Sequence, residues 1–264
     1  MPATARRALV RPPDRSFVKA LGQKEDAPPI DLARALAQHH LYVGALQAAG
    51  LAVTGLPAAP GLPDACFVQD VALVLPDLVL LARPAMPSRQ GEVAAIRPHL
   101  PDDRPVVAVE PPGTLEWGDV LRIDDTLFVG LSERTNAAGA DQVRAAVTPL
   151  GMQVETVVVP AGLHLLSGLS YLGQSPRTPE EPGVALAWPV YADLPPLAGL
   201  DVIVVPETEA PAANALAVGG TVILPAGYPR TAAEIWHRGF RVLIPSVGEF
   251  GKADGGVTCL SLLF

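Results

Sequence analysis

The feature that most limits the fold is a recurring succession of two short apolar strands, an amphipathic helix and a further strand, joined by tight connections. Residues 8–10 read as a first strand, and a helix with Leu32, Leu36, Val43 and Leu46 on one stripe follows and stops at Gly50. Apolar runs at 71–75 and 78–82 precede a helix over 90–99 and a strand over 106–109. Residues 120–123 and 126–129 flank Asp124-Asp125, a hairpin signature. The succession returns with a helix over 137–150, strands over 154–159, 184–186, 202–205, 215–218, 221–224 and 242–244, and a helix over 231–238. No linker or low-complexity segment divides it, and the 29 prolines stand mostly at element edges. One α/β domain over residues 1–264 is expected.

Composition removes several classes of function. The net charge is −8 without a basic cluster, which argues against nucleic acid as a partner. No apolar run reaches the ~20 residues of a membrane span, and the apolar region after Arg6-Arg7 is too short for a secretory signal. Two cysteines, Cys66 and Cys259, make no disulfide framework, so a reducing cytoplasm is the expected location. A homodimer is compatible with this composition. An acidic chain suits a small cationic substrate, although many acidic proteins bind none.

Some polar residues interrupt the strand pattern without helping it. Near the end, Asp254-Gly255-Gly256 leads into Val257-Thr258-Cys259-Leu260, which reads as a short buried strand with a thiol at its entrance. A free thiol is a poor nucleophile until its proton is removed, and an isolated cysteine is more often a small core hydrophobe. Asp64 and Asp70 bracket what reads as an apolar strand, and Glu116 and Asp119 stand in a glycine-containing turn. His164 lies amid leucines; Arg89 precedes Gln90-Gly91-Glu92, and Arg134 lies within Ser132-Glu133-Arg134-Thr135-Asn136. Singly, each has a structural explanation: a core histidine, a capping acid, a surface ion pair. His39 and His40 lack a partner at metal-ligand spacing and read as solvated or capping residues, and Cys66 as a buried structural thiol.

Taken together and in order, these segments resemble the dimethylarginine dimethylaminohydrolases, members of the guanidine-modifying enzymes. The shared pieces also include Ala212-Ala213-Asn214 and 225–231, and they cover nearly the whole chain. The resemblance implies an α/β propeller of five ββαβ modules around a pseudo-five-fold axis, with the active site in the central channel. It implies Cys259 as nucleophile, His164 as general acid/base, and Glu116 and Asp70 as a clasp for the guanidinium. It also places Arg89 and Arg134 on the substrate carboxylate, with Asp64 and the backbone near Leu21 and Ala253 on the α-ammonium. Residues 21–29 would form a flap. No metal or cofactor is implied.

Two positions depart from that pattern. Gln69 stands where the family commonly has an acid, removing a negative charge beside the guanidinium. Trp117 stands where the family usually has a small residue, and it narrows the channel only if its ring lines it. The expected activity is hydrolysis of Nω-methylated arginine to citrulline and an alkylamine. A deiminase of arginine or a related guanidine is the nearest alternative, and a catalytically weak binder of arginine derivatives the alternative of another class.

Overall fold

The computed structural model describes residues 5–23 and 28–264. Its β structure is five three-stranded sheets. The first module runs from β1 (Arg7–Val10) through helix α1 (Leu32–Ala48) to β2 (Ala52–Gly55). The second holds β3 (Ala72–Val74), β4 (Val79–Leu81), α2 (Gln90–Ile96) and β5 (Val106–Ala108). The third holds β6 (Val120–Ile123), β7 (Thr126–Leu131), α3 (Ala137–Val147) and β8 (Gln153–Val158). A short helix, α4 (Leu165–Gly168), leads into β9 (Leu169–Gly173), β10 (Val184–Ala187) and β11 (Asp201–Val204). The fifth module is β12 (Leu216–Val218), β13 (Thr221–Ile223), α5 (Pro229–His237) and β14 (Arg241–Leu243).

In modules two to five the middle strand pairs antiparallel with the strand before it and parallel with the strand after it. Parallel pairing needs a crossover, and a helix supplies it in the other modules. The fourth uses two 3₁₀ turns instead, Pro189–Tyr191 and Pro195–Leu197. Pro189, Pro195 and Pro196 explain this, because proline inside an α-helix removes a backbone donor and clashes with the preceding turn. The first module is completed from the far end of the chain. After α6 (Gly248–Gly251), strand β15 (Leu262–Leu263) pairs antiparallel with β1, with Ala8 opposite Leu263 and Leu9 opposite Leu262.

The apolar core lies at the seams between sheets. One cluster joins Ala8 and Val10 to Val218 and Ile223, fifth module to first. Another joins Leu9 and Leu262 to Val79 and Leu81, first to second. Leu80 packs with Leu127 and Val129, Leu121 and Val157 with Leu169 and Ala185, and Leu186 with Val222 and Leu224. Every seam is filled, so the sheets close into the five-bladed α/β propeller that the resemblance implied. Contacts of β15 with β3, β6 with β9 and β9 with β12 put the first strand of each blade innermost.

Three local expectations are corrected. Residues 257–260 form a turn, and the terminal strand is Leu262–Leu263. The stretch from Asp64 to Asp70 is a turn followed by a 3₁₀ helix, Val68–Val71, in place of a strand. Helix α1 buries Ala35, Gln38, His39, Tyr42 and Leu46, so its inward stripe is rotated from the expected one and Leu36 is 43% exposed. His39 is therefore buried against Phe250 instead of solvated, while His40 is exposed. Part of the expected flap, residues 24–27, lies outside the described residues. Among the described residues, no helix is long and apolar enough to cross a membrane.

Candidate active site

The innermost strands deliver their entrances to one place. Asp70 immediately precedes Val71 and β3, Glu116 precedes the 3₁₀ turn Trp117–Asp119 that opens β6, His164 caps α4 ahead of β9, and Cys259 lies just before β15. An oxygen of Asp70, an oxygen of Glu116 and a ring nitrogen of His164 lie within 4.8 Å of one another. His164 Nε2 is 2.9 Å from Glu116 Oε2. Burial alone would lower the histidine, but the Glu116 bond and the fields of Asp70 and Asp119 raise it above its ordinary value. Glu116 is held low by the His164 bond and by Arg89, against its own burial. Both directions favour an imidazolium–carboxylate pair.

Arg89 takes a position that the resemblance did not describe. Its Nη1 donates to Asp70 Oδ2 at 3.0 Å and to Glu116 Oε2 at 2.9 Å, while Nε and Nη2 donate to the two oxygens of Glu92. A guanidinium has five N–H donors. Four are committed to the protein, so one remains uncommitted. Arg134 is less engaged: its Nη1 lies 3.7 Å from Glu116 Oε1. Of the two arginines expected on a carboxylate, Arg134 therefore has more donors uncommitted to the protein. Burial pushes Glu92 up to about 7 despite the arginine beside it.

The carboxylates have oxygens to spare. Among the described residues, Asp70 Oδ1, Glu116 Oε1 and Gln69 Oε1 are buried with no hydrogen-bond partner. Such orphaned acceptors are rare in a folded interior and point to a donor-rich ligand. Gln69 donates from Nε2 to the Trp117 carbonyl at 2.8 Å, a bond that a carboxylate cannot make. Trp117 itself is 1% exposed and packs into the seam of the second and third blades, so its ring does not narrow the channel.

Leu21, Asp64, Asp70, Arg89, Arg134, His164, Ala253 and Cys259 all line one small cavity of about 20 Å³. Within it the Leu21 N–H donates to Asp64 Oδ1 at 3.0 Å. A larger cavity of about 800 Å³ meets it at Leu163, His164, Gly255 and Cys259 and extends past Trp188 and Tyr228. Cys259 is 8% exposed and borders both. Burial pushes its thiol up to about 12, helped by Asp70 and opposed by the Gly256 amide and the Thr258 hydroxyl. Cys66, by contrast, lies in the core at 2% exposure.

Other residues hold this geometry. Asp119 accepts from the Leu165 N–H at 3.0 Å and from the Ser132 hydroxyl at 2.7 Å, pinning the residue after His164. Thr135 accepts from the Glu116 N–H at 3.1 Å. Gly118 has no room for a side chain, since a Cβ there would lie 2.6 Å from His164 Nδ1. Glu92 was visible in the sequence as an acid three residues from Arg89 on a helix; the role of Gly118 left no such trace. Asp70, Glu116 and His164 also have metal-like donor spacing, but the Arg89 cation already sits on two of them.

No protein-family model matches the chain. The chain is 38% identical over 258 residues to an N(G),N(G)-dimethylarginine dimethylaminohydrolase of Pseudomonas aeruginosa, covering 97% of this chain and 98% of that protein. Among solved structures it is similar to a mutant of the Pseudomonas aeruginosa enzyme complexed with citrulline, with a TM-score of 0.92, 36% identity, and 99% of this chain and 100% of that one covered. A dimethylarginine dimethylaminohydrolase mutant bearing an S-methyl-L-thiocitrulline adduct matches with the same TM-score of 0.92 and 36% identity, over 98% of this chain and 100% of that one.

Proposed function

This chain belongs to the dimethylarginine dimethylaminohydrolase family, and from there we propose that it hydrolyses Nω-methylated L-arginine to L-citrulline and methylamine or dimethylamine through a cysteine-bound intermediate. The whole chain serves as one catalytic propeller. The observation that carries the assignment is a cavity shared by Asp70, His164 and Cys259, together with three buried acceptors that make no hydrogen bond, Gln69 Oε1, Asp70 Oδ1 and Glu116 Oε1. A guanidinium is planar, cationic and rich in donors, so it satisfies all three through charge-assisted bonds. Asp64, Asp70, Glu92, Glu116 and Asp119 are all buried, against the buried cations Arg11, Arg89 and His164, and this excess of acid favours a cationic ligand.

The chemistry follows from these groups. Asp70 and Glu116 hold the guanidinium carbon against Sγ of Cys259, and proximity offsets the resonance that deactivates this carbon. The thiol releases its proton to solvent as the cation arrives, the Sγ–C bond forms, and the already protonated His164 donates a proton to the departing amine as the C–N bond breaks. His164, now neutral, takes a proton from water; the C–O bond forms and the C–S bond breaks, releasing citrulline and the thiol. The α-carboxylate meets Arg134 and the last donor of Arg89, and the α-ammonium meets Asp64 and the carbonyls of Leu21 and Ala253. A cavity of about 20 Å³ holds only about one water, so the Leu21 segment moves to admit this end and closes over it. Both cysteines are free, and a reducing cytoplasm keeps such a nucleophile active.

Citrulline release from dimethylarginine, monomethylarginine, arginine and agmatine at equal concentration tests this. Dimethylarginine or monomethylarginine is turned over fastest, and Cys259→Ser abolishes release. Fastest turnover of arginine makes the protein a deiminase, and release that survives Cys259→Ser removes the nucleophile.

A further inference from the structure

Four of the five blades place a reacting or clasping side chain at the entrance to the innermost strand: Asp70 before β3, Glu116 before β6, His164 before β9 and Cys259 before β15. The remaining blade places Asn214 there, two residues before β12. Asn214 is 6% exposed, borders the larger cavity with His164 and Cys259, and has no part in the chemistry above.

We propose that Asn214 is the positioning residue that sets the approach of Cys259 to His164, by tying the two loops together through one side-chain amide. Its Nδ2 donates to the Leu166 carbonyl at 2.8 Å, in the helix that His164 caps. The same nitrogen donates to Thr258 Oγ1 at 2.7 Å, and Oδ1 accepts the Thr258 N–H at 3.1 Å. Thr258 is the residue before the nucleophile, and its hydroxyl lies 3.9 Å from Sγ. Gly256 closes over the amide so tightly that a Cβ there would come within 2.2 Å of Asn214 Oδ1. Only an uncharged group with both donors and an acceptor makes these bonds. Asparagine does so, whereas aspartate loses both donated bonds and places a charge beside the thiol. The amide is held in turn by its own blade: Ser170 Oγ donates to the Ala213 carbonyl at 2.7 Å and accepts the Ala215 N–H at 2.9 Å.

This role rests on the proposed hydrolase chemistry, and its test separates the two. Asn214→Ala, Asn214→Asp and Ser170→Ala are compared with wild type for kcat and KM on dimethylarginine, for melting temperature, and for the rate of Cys259 alkylation by iodoacetamide. Misplacing reacting groups by about 1 Å costs on the order of 10²-fold. Both Asn214 variants therefore lose about that much kcat with KM within about threefold, since the amino-acid end binds elsewhere, and their alkylation rates depart from wild type. Ser170→Ala, which loosens the backbone on either side of Asn214, shifts kcat and alkylation in the same direction as the Asn214 variants but by less. Asn214 variants that melt earlier with kcat and alkylation at the wild-type level overturn the proposal, as does a rise in KM alone, which would make Asn214 a substrate contact. If Asn214→Ala does not fold, Asn214→Asp decides, because it retains the bond from the Thr258 N–H. A wild-type protein without citrulline release removes the hydrolase chemistry, while the alkylation rates still report on whether Asn214 positions the thiol.

Discussion

Cys259, the proposed nucleophile, is kept in its unreactive form. A pocket that buries the sulfur beside Asp70 raises its pKa to about 12, so ionisation waits for a cation to arrive. The expectation is that ultraviolet titration, read as the difference between wild type and Cys259→Ser, detects no thiolate from this residue below about pH 10 in the free protein. A titration step at or below the ordinary cysteine value of 9.0 would mean that the sulfur is already solvated or paired. At this scale the sequence singled out a thiol, a histidine and acids as polar groups within apolar segments, each with a structural explanation of its own, and the roles proposed for them came from the family resemblance. The sequence did not carry the partners of Arg89. Whether a guanidinium turns outward to substrate or inward to Asp70, Glu92 and Glu116 depends on which carboxylates the neighbouring blades bring within 3 Å or so, a separation of 19 and 27 residues along the chain for two of them.

Among the elements, α1 departs most from its expected packing, and His39 records the difference. Burial lowers this histidine from 6.5 to about 4, and its Nε2 has no hydrogen-bond partner. The folded protein therefore keeps it neutral over a range where the unfolded chain binds a proton. With the unfolded state holding more protons, stability falls as pH drops from 6.5 to about 4, by about 3 kcal/mol across that window. Urea midpoints at pH 7 and pH 4.5 should thus fall further in wild type than in His39→Leu; equal losses would show that His39 is solvated after all. The stripe of Leu32, Leu36, Val43 and Leu46 misled because leucine frequency marks a helix without fixing its rotation. Tyr42 turns inward because its hydroxyl donates to the Val257 carbonyl at 2.7 Å and lies 2.7 Å from Ser261 Oγ. Those partners lie more than 200 residues away and are invisible to local periodicity. The 257–260 segment misled in the same way, since its apolar residues are buried in a turn that presents Cys259 before the strand begins.

The ring as a whole depends on its last residues. Strand β15 completes the first sheet and begins three residues after Cys259, so the pairing that closes the propeller also fixes the segment that carries the thiol. Leu262 is 2% exposed in the seam between the first two blades, and Leu262→Ala should cost about 2–5 kcal/mol. Denaturant unfolding followed by both circular dichroism and activity checks this: activity and secondary structure should be lost together, whereas a variant that keeps full stability would mean that the seam does not hold the ring. The sequence by itself determined the alternation of strands and helices, the ββαβ repeat, and which polar residues interrupt it, because periodicity and the cost of burying polar groups act locally; the guanidinium chemistry proposed for those residues came from the family resemblance. Tertiary structure alone decided that Leu9 faces Leu262, that Trp117 leaves the channel open, that Arg89 binds acids, and that Asn214 joins the loops of His164 and Cys259. Each of these depends on blades far apart in the chain meeting at a seam, and the distance across a seam is set by the packing of all five sheets.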